Sequence, residues 1–286
     1  MCHGTFPGHI EGDGMPYITA ADGAQIFYKD WGQGQPVIFS HGWPLNGDAW
    51  DVEMKLAADN GFRAIAHDRR GHGRSEQTWA GNDMDTYAAD LAALVDELNL
   101  TDIILVGHST GGGEVVRFAA RHGAGRVAKI ATAGAVPPVM VKKESNPDGL
   151  PIEVFDGIRE GVLNDRSQFF QDLSESFFGI NHGTGISQGQ RDQFWRLGMQ
   201  MSLKGAYDCI KAFSESDFTE DLKSLDVPFF LAHGDDDQIV PIADAALKTV
   251  DLVKNVQLKV YPGAPHGIAG EYQKALDADL IEFFKS

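Results

Sequence analysis

Short apolar runs alternate with stretches of helical periodicity through the first half of the chain. Tyr17-Ile18-Thr19 and Ile26 to Trp31 read as strands, joined by a hairpin turn at Asp22-Gly23. Val37-Ile38-Phe39 and Ala64-Ile65-Ala66 read as buried strands; between them Asp48 can cap a helix that ends near Asn60-Gly61. From Asp85 onward, Tyr87, Leu91, Leu94, Val95 and Leu98 fall on one helical face. Ile103 to Val106 is a short apolar run between polar boundaries, as in a parallel strand, followed by a helix from about Glu114 to His122 and a strand around Val127 to Ala131. Such alternation predicts a parallel sheet covered by helices on both faces.

The pattern changes at Val136-Pro137-Pro138. From there to Asp226 it predicts helices, among them Phe155 to Leu163, Ser167 to Phe177 and Gln190 to Met201, and no convincing strand. Strands return at Val227 to Ala232 and Val256 to Val260, and a last helix spans roughly Gln273 to Phe284. The organisation expected is a flexible leader (1–15), a sheet core (16–135 and 227–286) and an inserted helical cap (136–226). Phe155, Phe169, Phe170, Phe177 and Trp195 are the aromatics in the cap that could line a pocket; amphipathic helices place aromatics in a core just as readily.

Composition narrows the function. A formal charge of −17 and a pI near 4.8 argue against a nucleic-acid or anionic-membrane partner. No run approaches the length of a membrane span, and the first residues lack the basic and apolar stretches of a secretory signal. Cys2 and Cys209 make no disulfide framework and read as free thiols in a cytoplasmic protein. His3 and His9 beside Cys2 have no second ligand cluster to complete a metal site.

The most specific motif is Gly107-His108-Ser109-Thr110-Gly111, a G-x-S-x-G turn directly after a strand and before a helix. Small flanking residues let the turn tighten and leave the Ser109 hydroxyl at the carboxyl edge of the sheet, beside helix N–H groups able to receive an oxyanion. A serine nucleophile needs a base, and the base an orienting carboxylate. His266 lies after the last predicted strand, where the chain order Ser, Asp, His places the base. The acid should follow the strand ending at Ala232, where Asp235, Asp236 and Asp237 stand together; Asp237 is preferred and Asp235 is second. Oxyanion donors are expected from the N–H of Thr110 and of Trp43, in Ser40-His41-Gly42-Trp43-Pro44; Pro44 has no N–H to give. Asp68-Arg69-Arg70-Gly71-His72-Gly73-Arg74-Ser75 suggests a phosphate loop, but its glycine spacing fits no nucleotide fingerprint, so it reads as a structural buttress.

These segments, with Asn82 to Tyr87, Tyr207 to Phe213 and Ala264-Pro265-His266-Gly267, resemble the cofactor-free, non-haem haloperoxidases. That family, also described as chloroperoxidases, arylesterases and perhydrolases, belongs to the α/β hydrolases, and the resemblance runs from about Pro16 to the C-terminus. It implies an α/β-hydrolase fold with a mostly parallel sheet and a triad on Ser109, Asp237 and His266, with oxyanion donors on Trp43 and Thr110. It also implies small carboxylic esters as substrates, water or hydrogen peroxide as acyl acceptor, and neither cofactor nor metal; it leaves a homo-oligomer open. Pro44 matches perhydrolase members, whereas His108 stands where many members carry an aromatic. Lactonases, γ-lactamases and hydroxynitrile lyases of the same fold remain alternatives, as does a binding module with little turnover. Haloalkane dehalogenases and epoxide hydrolases do not, because they need Asp at position 109.

Overall fold

The computed structural model describes residues 16–286, so Cys2, His3, His9 and the expected leader lie outside the described residues. Strand β1 (Tyr17–Thr19) turns into β2 (Gln25–Gly32) through Gly23, whose φ of +94° suits glycine. Then come β3 (Pro36–Ser40), a short tight helix Gly47–Trp50, α1 (Asp51–Asp59), β4 (Arg63–His67) and α2 (Met84–Glu97). Strand β5 (Ile103–His108), α3 (Thr110–Arg121) and β6 (Val127–Ala133) complete the first half. Four helices follow: α4 (Ile152–Phe177), α5 (Gln188–Met199), α6 (Leu203–Glu215) and α7 (Thr219–Ser224). The chain ends with β7 (Phe229–Gly234), α8 (Ala246–Val250), β8 (Val256–Tyr261) and α9 (Gln273–Lys285).

The strands form one sheet in the order β1-β2-β4-β3-β5-β6-β7-β8. β2 is antiparallel to both its neighbours, and every pairing from β4 to β8 is parallel, giving the mostly parallel sheet expected. Successive side chains of the central strands go to opposite faces. Ile38, Ile65 and Leu105 join Leu91, Val115 and Phe118 of α2 and α3 on one side. Val37, Phe39, Ile104 and Val106 join Met54 of α1 and Leu280 and Phe284 of α9 on the other. Both faces are covered, which is why these strands read as continuous apolar runs.

Several boundaries differ from the sequence expectation for local reasons. Asn46, not Asp48, caps the turn before α1, its side chain accepting from the Asp48 N–H at 3.0 Å. Asp48 instead pairs with Lys29 at 2.9 Å and Arg74 at 2.6 Å. The two helices expected at Phe155 to Leu163 and Ser167 to Phe177 are halves of α4, joined through a non-helical Asp165. The Asp165 carboxylate accepts from the Gln168 N–H at 3.0 Å, so it caps the second half as the chain bends. Ser187 and Gln190 form a reciprocal capping box, which starts α5 two residues early. Cys209 on α6 is a buried free thiol, and among the described residues no helix is long and apolar enough to cross a membrane.

Helices α1 and α9 meet through two acids. Glu53 Oε1 accepts from Gln273 Nε2 at 3.0 Å, while Glu53 Oε2 and Asp277 Oδ1 are buried without a partner among the described residues. Burial and the neighbouring Asp277 raise Glu53 from 4.5 to about 7, and burial raises Asp277 to about 6. An acid whose pKa is raised on folding binds its proton more tightly in the native state, so stability falls as pH climbs from the ordinary carboxyl range through the raised value. Glu53→Gln is therefore expected to exceed the parent in stability by on the order of 2 kcal/mol near pH 8 and to match it closely below about pH 5. Urea denaturation at the two pH values checks this, and an equal difference at both would contradict it.

Candidate active site

The turn from β5 into α3 passes through Ser109, which is 5% exposed and has φ +54° and ψ −120°. A non-glycine residue in this region costs about 1–3 kcal/mol and persists only where its surroundings over-determine it. Here the Ser109 N–H donates to the Ala133 carbonyl at 3.1 Å, and the Ser109 carbonyl accepts from Gly112 N–H at 3.0 Å. Close approach explains the glycines: a Cβ at Gly107 would lie 2.5 Å from the Gly111 carbonyl oxygen, and one at Gly111 would lie 2.1 Å from that of Ser40. Helix α3 accordingly starts at Thr110, four residues before the expected Glu114, through a glycine run of poor helix propensity. Packing overrides propensity here.

Asp237 and His266 meet in the loops after β7 and β8. His266 Nδ1 bonds Asp237 Oδ2 at 2.7 Å, while Asp237 Oδ1 accepts the Ile239 and Val240 N–H groups at 2.9 and 2.7 Å. His233 Nε2 is 3.3 Å from the same Asp237 oxygen. Burial would raise the Asp237 carboxyl, but the two imidazoles outweigh it and hold the group well below the ordinary carboxylate range. With Nδ1–H given to a carboxylate, His266 keeps a lone pair on Nε2. That nitrogen is buried and has no hydrogen-bond partner among the described residues, so no Ser109–His266 hydrogen bond is formed in this rotamer. The other two acids serve different ends: Asp235 accepts from Gly263 N–H at 2.6 Å, and Asp236 bonds His182 at 2.6 Å. Tertiary structure thus brings Asp237, not Asp235, to His266.

The loop after β3 lies against the serine. A Cβ at Gly42 would lie 3.0 Å from Ser109 Cβ and 2.7 Å from His108 Nδ1, so only glycine lets this backbone come so near. Trp43 follows, with Nε1 donating to the Ala206 carbonyl at 3.1 Å and its ring 5.4 Å from Phe170 and 5.7 Å from Phe213. Thr110 opens α3, so its N–H is one of the donors a helix leaves unsatisfied at its start. The sequence-nominated aromatics divide. Phe169 and Phe170 pack on Trp43, Phe177 lies 5.1 Å from His266, Phe155 backs Phe213, and Trp195 ties α5 to α4 by bonding Ser167.

Beneath this lies a polar network that motif reading missed. Glu114 of α3, fully buried, accepts from Ser40 Oγ at 2.5 Å, pairs with Arg69 at 2.6 Å and bonds His67 at 2.7 Å. Arg69 also donates to the His41 carbonyl at 2.7 Å, and its N–H to His41 Nε2 at 3.0 Å, so one charged pair holds the Gly42–Trp43 loop to the serine helix. Burial opposes ionisation of Glu114, but Arg69 and His67 prevail and bring it down to about 2. Sequence offered only a partial signal: Glu114 follows a run of three glycines in the first turns of α3, where a buried glutamate needs a partner, but nothing local names Arg69 as that partner. Arg70 pairs with Asp90 at 2.6 Å and Arg74 with Asp68 at 2.8 Å, which makes the arginine loop the buttress expected. His108 was noted only as a departure from an aromatic. Its Nε2 bonds the His266 carbonyl at 3.0 Å and its ring lies 4.7 Å from that of His266; burial first, and then the neighbouring imidazole, push it down to about 3, so it is neutral.

A strained serine turn, an acid–imidazole pair and a glycine-lined backbone loop, gathered at the carboxyl edge of a largely parallel sheet, define a serine-hydrolase class of site. The chain belongs to the α/β-hydrolase family: the family model described as alpha/beta hydrolase fold matches residues 35–271. It is similar to a non-heme haloperoxidase of Rhodococcus erythropolis, 58% identical over 95% of this chain and 100% of that protein. A bifunctional esterase/perhydrolase of Acinetobacter calcoaceticus is 50% identical, again over 95% of this chain and 100% of the relative. Among solved structures, a bromoperoxidase from Bacillus anthracis superposes with a TM-score of 0.90 at 36% identity, covering 94% of this chain and 99% of that one. The resemblance read from the motifs therefore holds.

Removing one member of the buried ion pair should be far worse than removing both. Glu114→Ala leaves Arg69 charged and unpaired in the interior and is expected to cost about 3–5 kcal/mol, most of it recovered when Arg69→Met is added. Equilibrium unfolding of the single and double variants checks this; additive losses would contradict it.

Proposed function

We propose that this protein is a serine esterase and perhydrolase of small carboxylic esters, working through an acyl-enzyme on Ser109. The observation that carries the reading is the buried Asp237–His266 pair, joined at 2.7 Å, with the imidazole Nε2 left free. In this reading Ser109 Oγ attacks the ester carbonyl and gives its proton to His266 Nε2. Asp237 holds the ring and stabilises the imidazolium. The N–H groups of Trp43 and Thr110 receive the developing oxyanion, each donor worth about 3 kcal/mol. The imidazolium then protonates the departing alcohol, and the acyl group stays on Ser109.

Water attack releases the acid. Hydrogen peroxide attack releases a peracid, which transfers one oxygen to bromide or chloride to give hypohalous acid and the carboxylate. Halogenation then needs no metal or cofactor. The similarity to proteins named for haloperoxidase and for esterase/perhydrolase activity supports this pairing. Residues 136–226 act as the cap that sets ester size, a reading supported by the contacts of Phe170 and Phe213 with Trp43. A cytoplasmic setting is supported by the buried free thiol of Cys209.

Turnover of p-nitrophenyl acetate should fall by about three orders of magnitude or more in Ser109→Ala, leaving only what binding and the oxyanion donors supply. In acetate buffer with peroxide and bromide, halogenation should survive exhaustive chelation and vanish in the same variant. Equal esterase rates for the two proteins would discard the nucleophile, and halogenation lost on chelation would discard the peracid route.

A further inference from the structure

A cavity of about 210 Å³ lies between the Gly47–Trp50 turn with α1 on one side and α5 on the other. Neither Ser109, Trp43 nor His266 lines it. Its lining includes Gly42, His108 and Gly267, each adjacent in sequence to a residue at the candidate site, and Ala133, whose carbonyl takes the Ser109 N–H. The separation is thin: the position a Gly42 Cβ would take is 3.0 Å from Ser109 Cβ. His108 forms the rest of the partition, one face on the cavity and its ring 4.7 Å from that of His266. Phe170 and Phe213 pack on Trp43 outside this lining.

The cavity walls select by charge. Leu45, Trp50, Phe177, Phe194 and Leu197 make them largely apolar, while Gln190 and Gln193 add neutral hydrogen-bonding groups. Asp48, Asp51 and Glu53 also line the cavity, and no lysine or arginine does; Lys29 pairs with Asp48 and Asp51. A carboxylate entering here finds no lysine or arginine in the lining to pair with, whereas an uncharged hydroxylic molecule meets hydrogen-bonding partners and apolar surface. An ester held here would have the partition between its carbonyl and Ser109 Oγ. Passage from the cavity to Ser109 requires the His108 ring to leave its 3.0 Å bond to the His266 carbonyl.

We propose that this cavity is the acceptor port of the acyl-enzyme, taking up uncharged hydroxylic molecules (water, hydrogen peroxide or a short primary alcohol) and delivering them past His108. The inference rests on the esterase reading above. The acceptor oxygen bonds the acyl carbon as its proton goes to His266 Nε2; the bond from that carbon to Ser109 Oγ breaks, and the same proton returns to Oγ. Acid, peracid or a new ester leaves, and nothing is oxidised or reduced in the transfer. The acceptor then waits in a cavity that neither Ser109 nor Trp43 lines, apart from the acyl group.

Acceptor competition tests this. The acyl-enzyme formed from p-nitrophenyl acetate is offered hydrogen peroxide, methanol or 1-propanol, and peracetic acid or acetate ester is measured against acetic acid. Each ratio is internal to one acyl-enzyme, so it does not depend on how much of a variant folds. Ala49→Phe fills the cavity from the Gly47–Trp50 turn, and Phe194→Leu widens it from α5. Filling should lower the propanol-to-water ratio by about tenfold, with smaller losses for methanol and peroxide, while kcat/KM for p-nitrophenyl acetate stays within about twofold. Widening should raise the propanol ratio. Unchanged ratios in both variants, with an active esterase, would overturn the port alone. Absence of acyl transfer in the parent enzyme would overturn the esterase reading and the port together.

Discussion

The turn at Ser109 is the constraint on which the rest of the structure depends. Holding a serine at φ +54° between β5 and α3 costs backbone energy, and three neighbouring segments bear that cost. The Ala133 carbonyl at the end of β6 takes the Ser109 N–H, Gly112 closes the turn from the helix side, and Ser40 and Gly42 come close enough to exclude a side chain. Together the contacts bring the ends of β3 and β6 and the start of α3 to one turn. The parallel register of β3, β5 and β6 thereby becomes a register of functional loops.

Charge does similar work below the surface. Arg69 and Glu114 come from different elements, and Ser40, His41 and His67 satisfy other donors and acceptors of the pair, while Arg69 Nη1 is buried without a partner among the described residues. A pair so enclosed does little for net stability compared with an apolar core, but it fixes geometry. The strand β3 loop cannot drift from α3 without stranding a buried charge. Rigidity of this kind suits the oxyanion role proposed for the Trp43 N–H, which needs a donor held in place beforehand.

The helices between β6 and β7 contribute to two separate groups of contacts near the candidate site. Phe170 and Phe213 close around Trp43, whereas Phe177 reaches the His266 ring and, with Phe194 and Leu197, bounds the cavity next to His108. His108 lies with the second group, its Nε2 committed to the His266 carbonyl and its ring kept neutral by burial. A charged residue there would have upset the Asp237–His266 pair a few ångströms away. A neutral imidazole holds the loop without changing the charge at the site.

Much of this was legible in the sequence. Strand–helix alternation, the G-x-S-x-G turn and the order of Ser109, Asp237 and His266 depend on local periodicity and on chain order, which tertiary packing does not alter. Three features were not legible. Residue spacing left Asp235 and Asp237 open, because the choice depends on which carboxylate faces a histidine 29 residues away, and only the joining of the loops after β7 and β8 settles that geometry. Helix α3 starts inside a glycine run because close packing against Ser40 leaves no room for side chains, a pressure that helix propensity does not register. The Glu114–Arg69 pair and the cavity behind His108 are assembled from segments far apart in the chain. Sequence alone determined which residues are candidates for the chemistry; the tertiary structure decided which of them meet, because contact and burial depend on the fold as a whole.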